Sequence, residues 1–263
     1  MNYTSEEFHI HYISSYTLFV NSDYTYDHLV VVDEQKNVLV FMKYKTTKPS
    51  TDAMKILSLP FQHVFVTLPH QSLVLTPTDV FQDGEKDIYT DYFIDQDADH
   101  TYVKHLSFGI TGLYQYDLLL YNRWKNLFSD AHFIPSFEIV VRQAQSNIPI
   151  QGETLGVHIY DSQADLFLYI DGALQLYNTF EVQTVDDLNY FVLSIFKNFG
   201  LTHKIQRILL SGTNEGSEWG ERLSKYTEDL EVIRAKSKWI TSDDEVKKQM
   251  SYLNILLDSQ LCV

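Results

Sequence analysis

The sequence predicts an α/β protein of two similar units, each a mixed sheet in β-β-β-α-β order. Three observations carry this reading. Apolar runs of strand length come in threes, joined by polar or Asp-Gly turns. Each triplet leads into a helix candidate and then into a short, wholly apolar strand. The two triplets also share spacing: T-L-x-V stands at 17–20 and again at 154–157, and the hairpin aspartates Asp33 and Asp171 follow at nearly the same interval.

In the first unit, 16–20 reads as a strand, followed by 28–33, a polar turn at 34–37, and 38–44. A short helix over 50–58 and a buried strand, HVFVTL at 63–68, complete the set. In the second unit the strands are 154–160, 166–170 and 174–180. Asp171-Gly172 joins the last two, and glycine supplies the positive φ that a two-residue hairpin turn demands. The helix over 185–199 has Leu188, Phe191, Val192, Ile195 and Phe199 on one face, and RILLS at 207–211 is the buried strand after it.

Between the units lies a segment with no counterpart at that place in the second. SLVLTPTDVF (72–81) reads as a strand broken at Pro77, with a helix from Glu85 to 94 and strands at 102–108 and 114–120. Helices at 122–128 and 136–145 flank a short strand at 131–134. SNIPIQG (146–152), punctuated by Pro149 and Gly152, marks the boundary. The expected domains are 1–148, with an inserted segment at about 72–146, and 149–263. After RILLS, the expected elements are a helix over 215–225, an extended stretch at 230–234 and a helix over 245–258.

Bulk properties narrow the function classes. The 35 acidic residues against 20 basic give a net charge of −15, which repels phosphate backbones and anionic lipid, so no nucleic-acid partner is expected. Glycine (10) and proline (6) are too few for a low-complexity chain. The single cysteine, Cys262, permits no internal disulfide, and one following residue is too few for a prenylation box. The opening MNYTSEEFHIHY lacks the basic-then-apolar pattern of a signal peptide, and no apolar run nears the roughly 20 residues that cross a bilayer. A cytoplasmic protein without direct membrane insertion is expected.

The repeated β-β-β-α-β unit resembles the ribonuclease H-like unit. Two of them in one chain resemble the actin-like ATPase superfamily, which includes sugar kinases, Hsp70 and cytoplasmic assembly proteins of type IV pili and type II secretion. SLVLTPTDVF, RILLSGTNEG (207–216) and the C-terminal LLDSQLCV (256–263) resemble, more closely, a Bacteroidetes-type family of unknown function with this fold. That resemblance implies a fold and assigns no activity.

In the superfamily, ATP sits between the halves, and the first hairpin of each offers D-x-G with a small or hydroxyl residue to the phosphates. Glycine matters there because backbone N–H groups approach phosphate oxygens with no Cβ in the way. The first hairpin here, VNSDYTYDH (20–28), keeps Asp23, Ser22 and Thr25 but has no glycine, and Tyr24 would fill the phosphate space. The second, YDSQAD (160–165), has none either. Asp23, Asp27, Asp161 and Asp165 would set negative charge beside a polyphosphate, which magnesium would offset in part.

In nucleotide-binding members of that superfamily a glycine pair after this strand accepts the adenosine; the resemblance implies that role for Gly212 and Gly216 in RILLSGTNEG, with Thr213 and Asn214 as hydrogen-bonding groups. The same residue types also serve any strand-to-helix turn. Neither first strand carries the mid-strand acid of a two-metal nuclease. DQDADH (95–100) starts like a calcium loop but has His100 and Leu106 where Gly and Glu are needed. His9 and His11, read as sharing a strand face, are the remaining metal-ligand types.

The expectation is thus a non-catalytic member of the actin-like fold, without a cofactor, acting as a scaffold or adaptor on a protein partner. Tyr24, Tyr26, Trp219 and Trp239 are the aromatic anchors to watch. The alternative is a nucleotide-binding ATPase or kinase with divergent loops. In it, Asp23, Asp161, Gly212, Thr213 and Asn214 would hold ATP with magnesium.

Overall fold

The computed structural model describes every residue except Asp83, Glu85, Ser107, Phe108, Thr202, His203, Glu215 and Val263. The expected helix starts at Glu85 and Glu215, the strand end at Phe108 and the last residue of LLDSQLCV therefore lie outside the described residues. Contacts divide the chain into two compact units. The first comprises Met1–Ile139, Lys236–Met250 and Ile255–Val263, and the second Val140–Ala235 with Ser251–Asn254. The expected boundary stood at 148/149, whereas this division falls at 139/140.

The first unit opens with β1 (Asn2–Thr4), which was not anticipated and pairs antiparallel with the strand Val38–Lys45. A 3-10 helix, Ile10–Ser15, follows. His11 is in that helix and His9 caps it, so the two do not share a strand face as expected. β2 (Thr17–Ser22), β3 (Tyr26–Val32) and β4 (Val38–Lys45) form an antiparallel meander. Their side chains are almost all buried, as the near-continuous apolar runs dictate. α1 (Thr51–Leu57) starts where Ser50 Oγ accepts from the Ala53 N–H at 3.1 Å. β5 (His63–Leu68) then lies parallel to β2.

The inserted segment supplies β6 (His70–Pro77), α2 (Lys86–Thr90), β7 (Tyr102–Leu106) and β8 (Ile110–Tyr116). The three strands make a separate antiparallel sheet in the order β6-β8-β7, over a small core of Phe81, Phe93 and Leu113. α3 (Leu118–Leu127) corrects the expectation that 114–120 is one strand: the Asp117 carboxylate accepts from the Leu120 N–H at 2.8 Å and starts a helix there. β9 (His132–Pro135) returns parallel to β5, and α4 (Ser136–Ala144) follows. The main sheet has the order β1-β4-β3-β2-β5-β9.

The second unit holds β10 (Glu153–Tyr160), β11 (Gln163–Ile170), β12 (Ala173–Glu181), α5 (Val185–Phe199), β13 (Arg207–Ser211), α6 (Glu218–Leu223) and β14 (Leu230–Val232). Its sheet order is β12-β11-β10-β13-β14, with β10–β13 and β13–β14 parallel. In each unit, therefore, the first strand of the meander is interior, with antiparallel strands on one side (β3, β4 and β1 in the first unit, β11 and β12 in the second) and two parallel strands on the other. α5 begins with a reciprocal cap: Thr184 Oγ1 accepts from the Asp187 N–H at 3.2 Å, and Asp187 accepts from the Thr184 N–H at 2.8 Å. Its Leu188, Val192, Ile195 and Phe196 are buried against this sheet, each contributing about 2 kcal/mol relative to exposure.

The C-terminal helix expected over 245–258 is two helices, α7 (Asp244–Met250) and α8 (Asn254–Asp258). The break coincides with Asn254, whose side chain bonds Ser211 and Gln143 rather than solvent. Asp258, in the LLDSQLCV motif, accepts from the N–H groups of Lys236 (2.9 Å) and Ser237 (2.8 Å). Among the described residues, no helix is long and apolar enough to cross a membrane.

Candidate functional site

The first hairpin is closed by its own side chains. The Asp23 N–H donates to the Tyr26 carbonyl at 3.0 Å. Asp23 Oδ1 in turn accepts from the N–H of Thr25 (2.7 Å) and of Tyr26 (2.5 Å). A phosphate on this loop would need those amides, and a carboxylate already holds them. Thr46 secures the loop from β4's end: its N–H donates to the Thr25 carbonyl at 2.9 Å and its hydroxyl to the Asp23 carbonyl at 3.3 Å.

Below the loop, Asp27 is buried and faces Ser22 across the β2–β3 register. It accepts from Ser22 Oγ at 2.6 Å, from Thr46 Oγ1 at 3.2 Å, and on both oxygens from Arg123 Nη2, at 2.7 and 2.8 Å. Arg123 Nη1 donates to the Thr46 carbonyl at 3.2 Å, and the guanidinium lies 4.6 Å from the Trp124 ring. Arg123 thus balances the charge that the sequence placed near a polyphosphate. Burial, and then the Asp27 carboxylate, push the Tyr44 phenol well above its usual range. Burial first, and Lys43 second, lower His28 on β3 to about 3, so it stays neutral.

The second hairpin turns on Asp161, at φ +46°, and Ser162, with Tyr160 and Gln163 as the last register pair. The Ser162 carbonyl accepts from the Val182 N–H at 2.7 Å. Asp165 points inward, fully buried, and accepts from the hydroxyls of Tyr160 (3.1 Å), Tyr177 (2.8 Å) and Thr179 (2.6 Å). The acid expected to stand beside a polyphosphate is here a buried structural one.

The turn after β13 has a structural cause for its glycine. Gly212 stands at φ +78°, and a Cβ there would come 2.0 Å from the Ile159 carbonyl oxygen. The close approach of β10 demands glycine whether or not a ligand binds. Thr213 is half-buried beside it. The Asn214 side-chain amide donates to the Tyr252 hydroxyl at 3.0 Å, while the residue's backbone carbonyl accepts from Ser217 Oγ at 2.6 Å. Ser217 Oγ then accepts from the Gly220 N–H at 3.2 Å and starts α6. Asn214 is thus engaged by Tyr252 through its side chain and by the capping Ser217 through its backbone.

One step before Gly212 lies a polar chain that sequence reasoning missed. His158 Nδ1 and Ser211 Oγ are 2.8 Å apart, and Asn254 Nδ2 donates to Ser211 Oγ at 2.8 Å and to Gln143 Oε1 at 2.6 Å. Gln143 Nε2 donates to the Asn254 carbonyl at 3.1 Å. Burial lowers His158 to about 4, partly opposed by Asp165, so the ring is neutral and shares one proton with Ser211 Oγ across the Nδ1 contact. These four residues span 111 positions, and Arg123 is 96 from Asp27; no local pattern announces either grouping.

Of the watched aromatics, Trp219 packs on the second unit's core and Trp239 lies 4.6 Å from Phe19, so both serve packing. Tyr26 lies under Lys43 at 4.7 Å, while Tyr24 is 43% exposed. The DQDADH loop satisfies itself. Asp95 accepts from the Asp97 N–H at 3.0 Å, Asp97 from the Asp99 N–H at 2.9 Å, and His100 pairs with Asp95 at 2.9 Å. Among the described residues no group of three His, Cys, Asp or Glu is arranged for a metal.

Residues 5–230 match the family described as protein of unknown function DUF3822. No curated protein matches the chain. Among solved structures, a Bacteroides thetaiotaomicron protein described as having an actin-like ATPase fold and unknown function superposes with a TM-score of 0.66. It is 15% identical, over 86% of this chain and 93% of that one. The PilM–PilN type IV pilus biogenesis complex gives a TM-score of 0.59 at 10% identity, over 93% of this chain and 97% of that one. At such identities the likeness establishes the fold, in agreement with the strand order of both sheets. The chain belongs to the DUF3822 family and has the actin-like ATPase fold of two ribonuclease H-like units.

Proposed function

We propose that this protein is a non-catalytic user of the actin-like fold, a cytoplasmic scaffold or adaptor that binds another protein and needs no nucleotide. The observation that carries the reading is the Asp23 carboxylate on the Thr25 and Tyr26 amides. In a phosphate loop those donors face the ligand; here an internal anion has taken the ligand's place. The second hairpin supports the same reading, since it turns without glycine and carries Asp161 where phosphate oxygens would have to approach. That a neighbour in fold is described as part of a two-protein complex favours seeking a protein partner.

The competing nucleotide-binding reading requires Asp23 to release both amides and the Asn214 side chain to leave the Tyr252 hydroxyl. The test is phosphate release from MgATP by the purified protein, measured beside an Asp23→Gly variant that opens the loop. The proposal expects no turnover above buffer in either. Turnover by the wild-type chain, lost on Asp161→Ala, would overturn it.

A further inference from the structure

The segment between β6 and β7 carries side chains that the fold does not use. It folds over the three-stranded sheet, sending Phe81, Tyr89 and Phe93 into that small core. The residues beside them face out. Val80, next to Phe81, is 60% exposed; Ile88, next to Tyr89, is 61% exposed; Tyr92 and Ile94, flanking Phe93, are 76% and 77% exposed. The outward residues are therefore large and apolar at the positions where water-facing polar residues are ordinary. Its described residues from 86 to 100 are tied together by Lys86 Nζ on the Ala98 carbonyl (2.9 Å), by the Phe93 N–H on the Thr90 carbonyl (2.9 Å), and by the Asp95–His100 pair.

The exposed charges described within this stretch are carboxylates. Asp79, Asp87, Asp91, Asp97 and Asp99 are exposed within the same stretch, while the nearby cation Lys86 is turned back onto backbone. Apolar groups interspersed along the chain with carboxylates select their occupant. A second copy of this chain, at net −15, would bring like charge to like charge. An anionic membrane would be repelled in the same way. A segment with apolar anchors flanked by Lys or Arg is favoured on both counts.

We infer that the outer face of this segment, Val80, Ile88, Tyr92 and Ile94 with its interspersed aspartates, is a docking surface for a basic amphipathic segment of a partner protein. The inference rests on the adaptor reading above and names the chemistry of the partner. Apolar anchors seated among these four side chains supply the affinity, and the aspartates set orientation and speed of encounter.

The test uses the full chain and a fluorescein-labelled amphipathic helix of Leu and Lys, read by fluorescence anisotropy. Saturable binding is expected, weakened at least about tenfold by V80S/I88S/Y92S/I94S, the loss of a hot-spot group. It should also weaken as salt rises from about 0.05 to about 0.5 M, where screening shortens to a few ångströms. The four side chains are exposed, so the variant should keep the parent's melting temperature and far-UV circular dichroism. A milder variant, Asp79→Asn with Asp87→Asn and Asp91→Asn, should weaken binding without touching the apolar groups.

Equal binding by parent and serine variant would overturn the inference, because it would assign the peptide to general acidity. Binding to phosphatidylserine vesicles instead, or self-association in sedimentation that the serine variant abolishes, would overturn it in favour of those occupants. These outcomes are separate from the adaptor reading, which stands or falls on nucleotide.

Discussion

The Asp27–Arg123 pair gives a quantitative handle on whether the first hairpin is structural. The Asp27 side chain is 2% exposed and that of Arg123 31%. Arg123→Ala would leave a buried carboxylate with hydroxyl donors alone, at a cost of about 3–5 kcal/mol. Asp27→Ala leaves a guanidinium that reaches water, so its cost is smaller, about 2–3 kcal/mol for the lost charged hydrogen bonds. Once the carboxylate is gone, removing Arg123 forfeits the Thr46 carbonyl bond and the contact with Trp124, about 1–2 kcal/mol. The double variant should then be less destabilised than the sum by about 2–3 kcal/mol, well outside the ~0.5 kcal/mol scatter of independent sites. Urea unfolding followed by tryptophan fluorescence measures this. With Trp219→Phe as background, the two remaining indoles, Trp124 and Trp239, both report on the first unit. Additive costs would refute the reasoning, showing that Asp27 and Arg123 do not rely on each other and are available for a ligand.

Other outcomes follow from the same geometry. Asp23→Ala removes the acceptor of two backbone amides and should cost about 2 kcal/mol, lowering the melting temperature by about 4–8 °C; an unchanged melt would show the carboxylate to be dispensable. Gly212→Ala meets both the φ of +78° and the Ile159 carbonyl, and should destabilise the second unit by at least about 2 kcal/mol in chemical denaturation, where an unaltered midpoint would contradict the steric account. His158 has a folded pKa of about 4 against an ordinary value of 6.5, so the unfolded chain binds the proton first. Stability should therefore fall as pH drops from about 6.5 to about 4, by on the order of 3 kcal/mol in total from this group. A His158→Gln variant should lose that part of the slope in pH-dependent urea titrations; an identical slope would remove His158 from the account.

What the sequence discloses is what local chemistry determines. β5, α5 and β13 fall on their expected residues, because each is a buried apolar run or a wide apolar stripe with its own caps and turns. Asp171-Gly172 likewise turns where the hairpin signal stands, with both residues at positive φ. Leu118–Leu120 was read as strand because a continuous apolar run has no period, and the decisive group was the cap at Asp117. The break before Asn254 carries no proline or glycine; it follows from a buried amide bonding Ser211 on a distant strand. For the hairpins, the missing glycines were visible, and so was Tyr24. That Asp23 folds back onto its own loop amides, and that Arg123 neutralises Asp27, depend on tertiary placement that no spacing rule encodes.

The most direct measurement of the central claim is calorimetric titration of MgATP into the purified protein. With the first loop's amides held by Asp23 and the second loop without a phosphate cradle, the account predicts no saturable heat up to about 1 mM nucleotide, the concentration at which a ligand worth about 4 kcal/mol would half-fill its site. A saturable isotherm in the micromolar range, abolished by Gly212→Trp in a protein that still unfolds cooperatively, would contradict it.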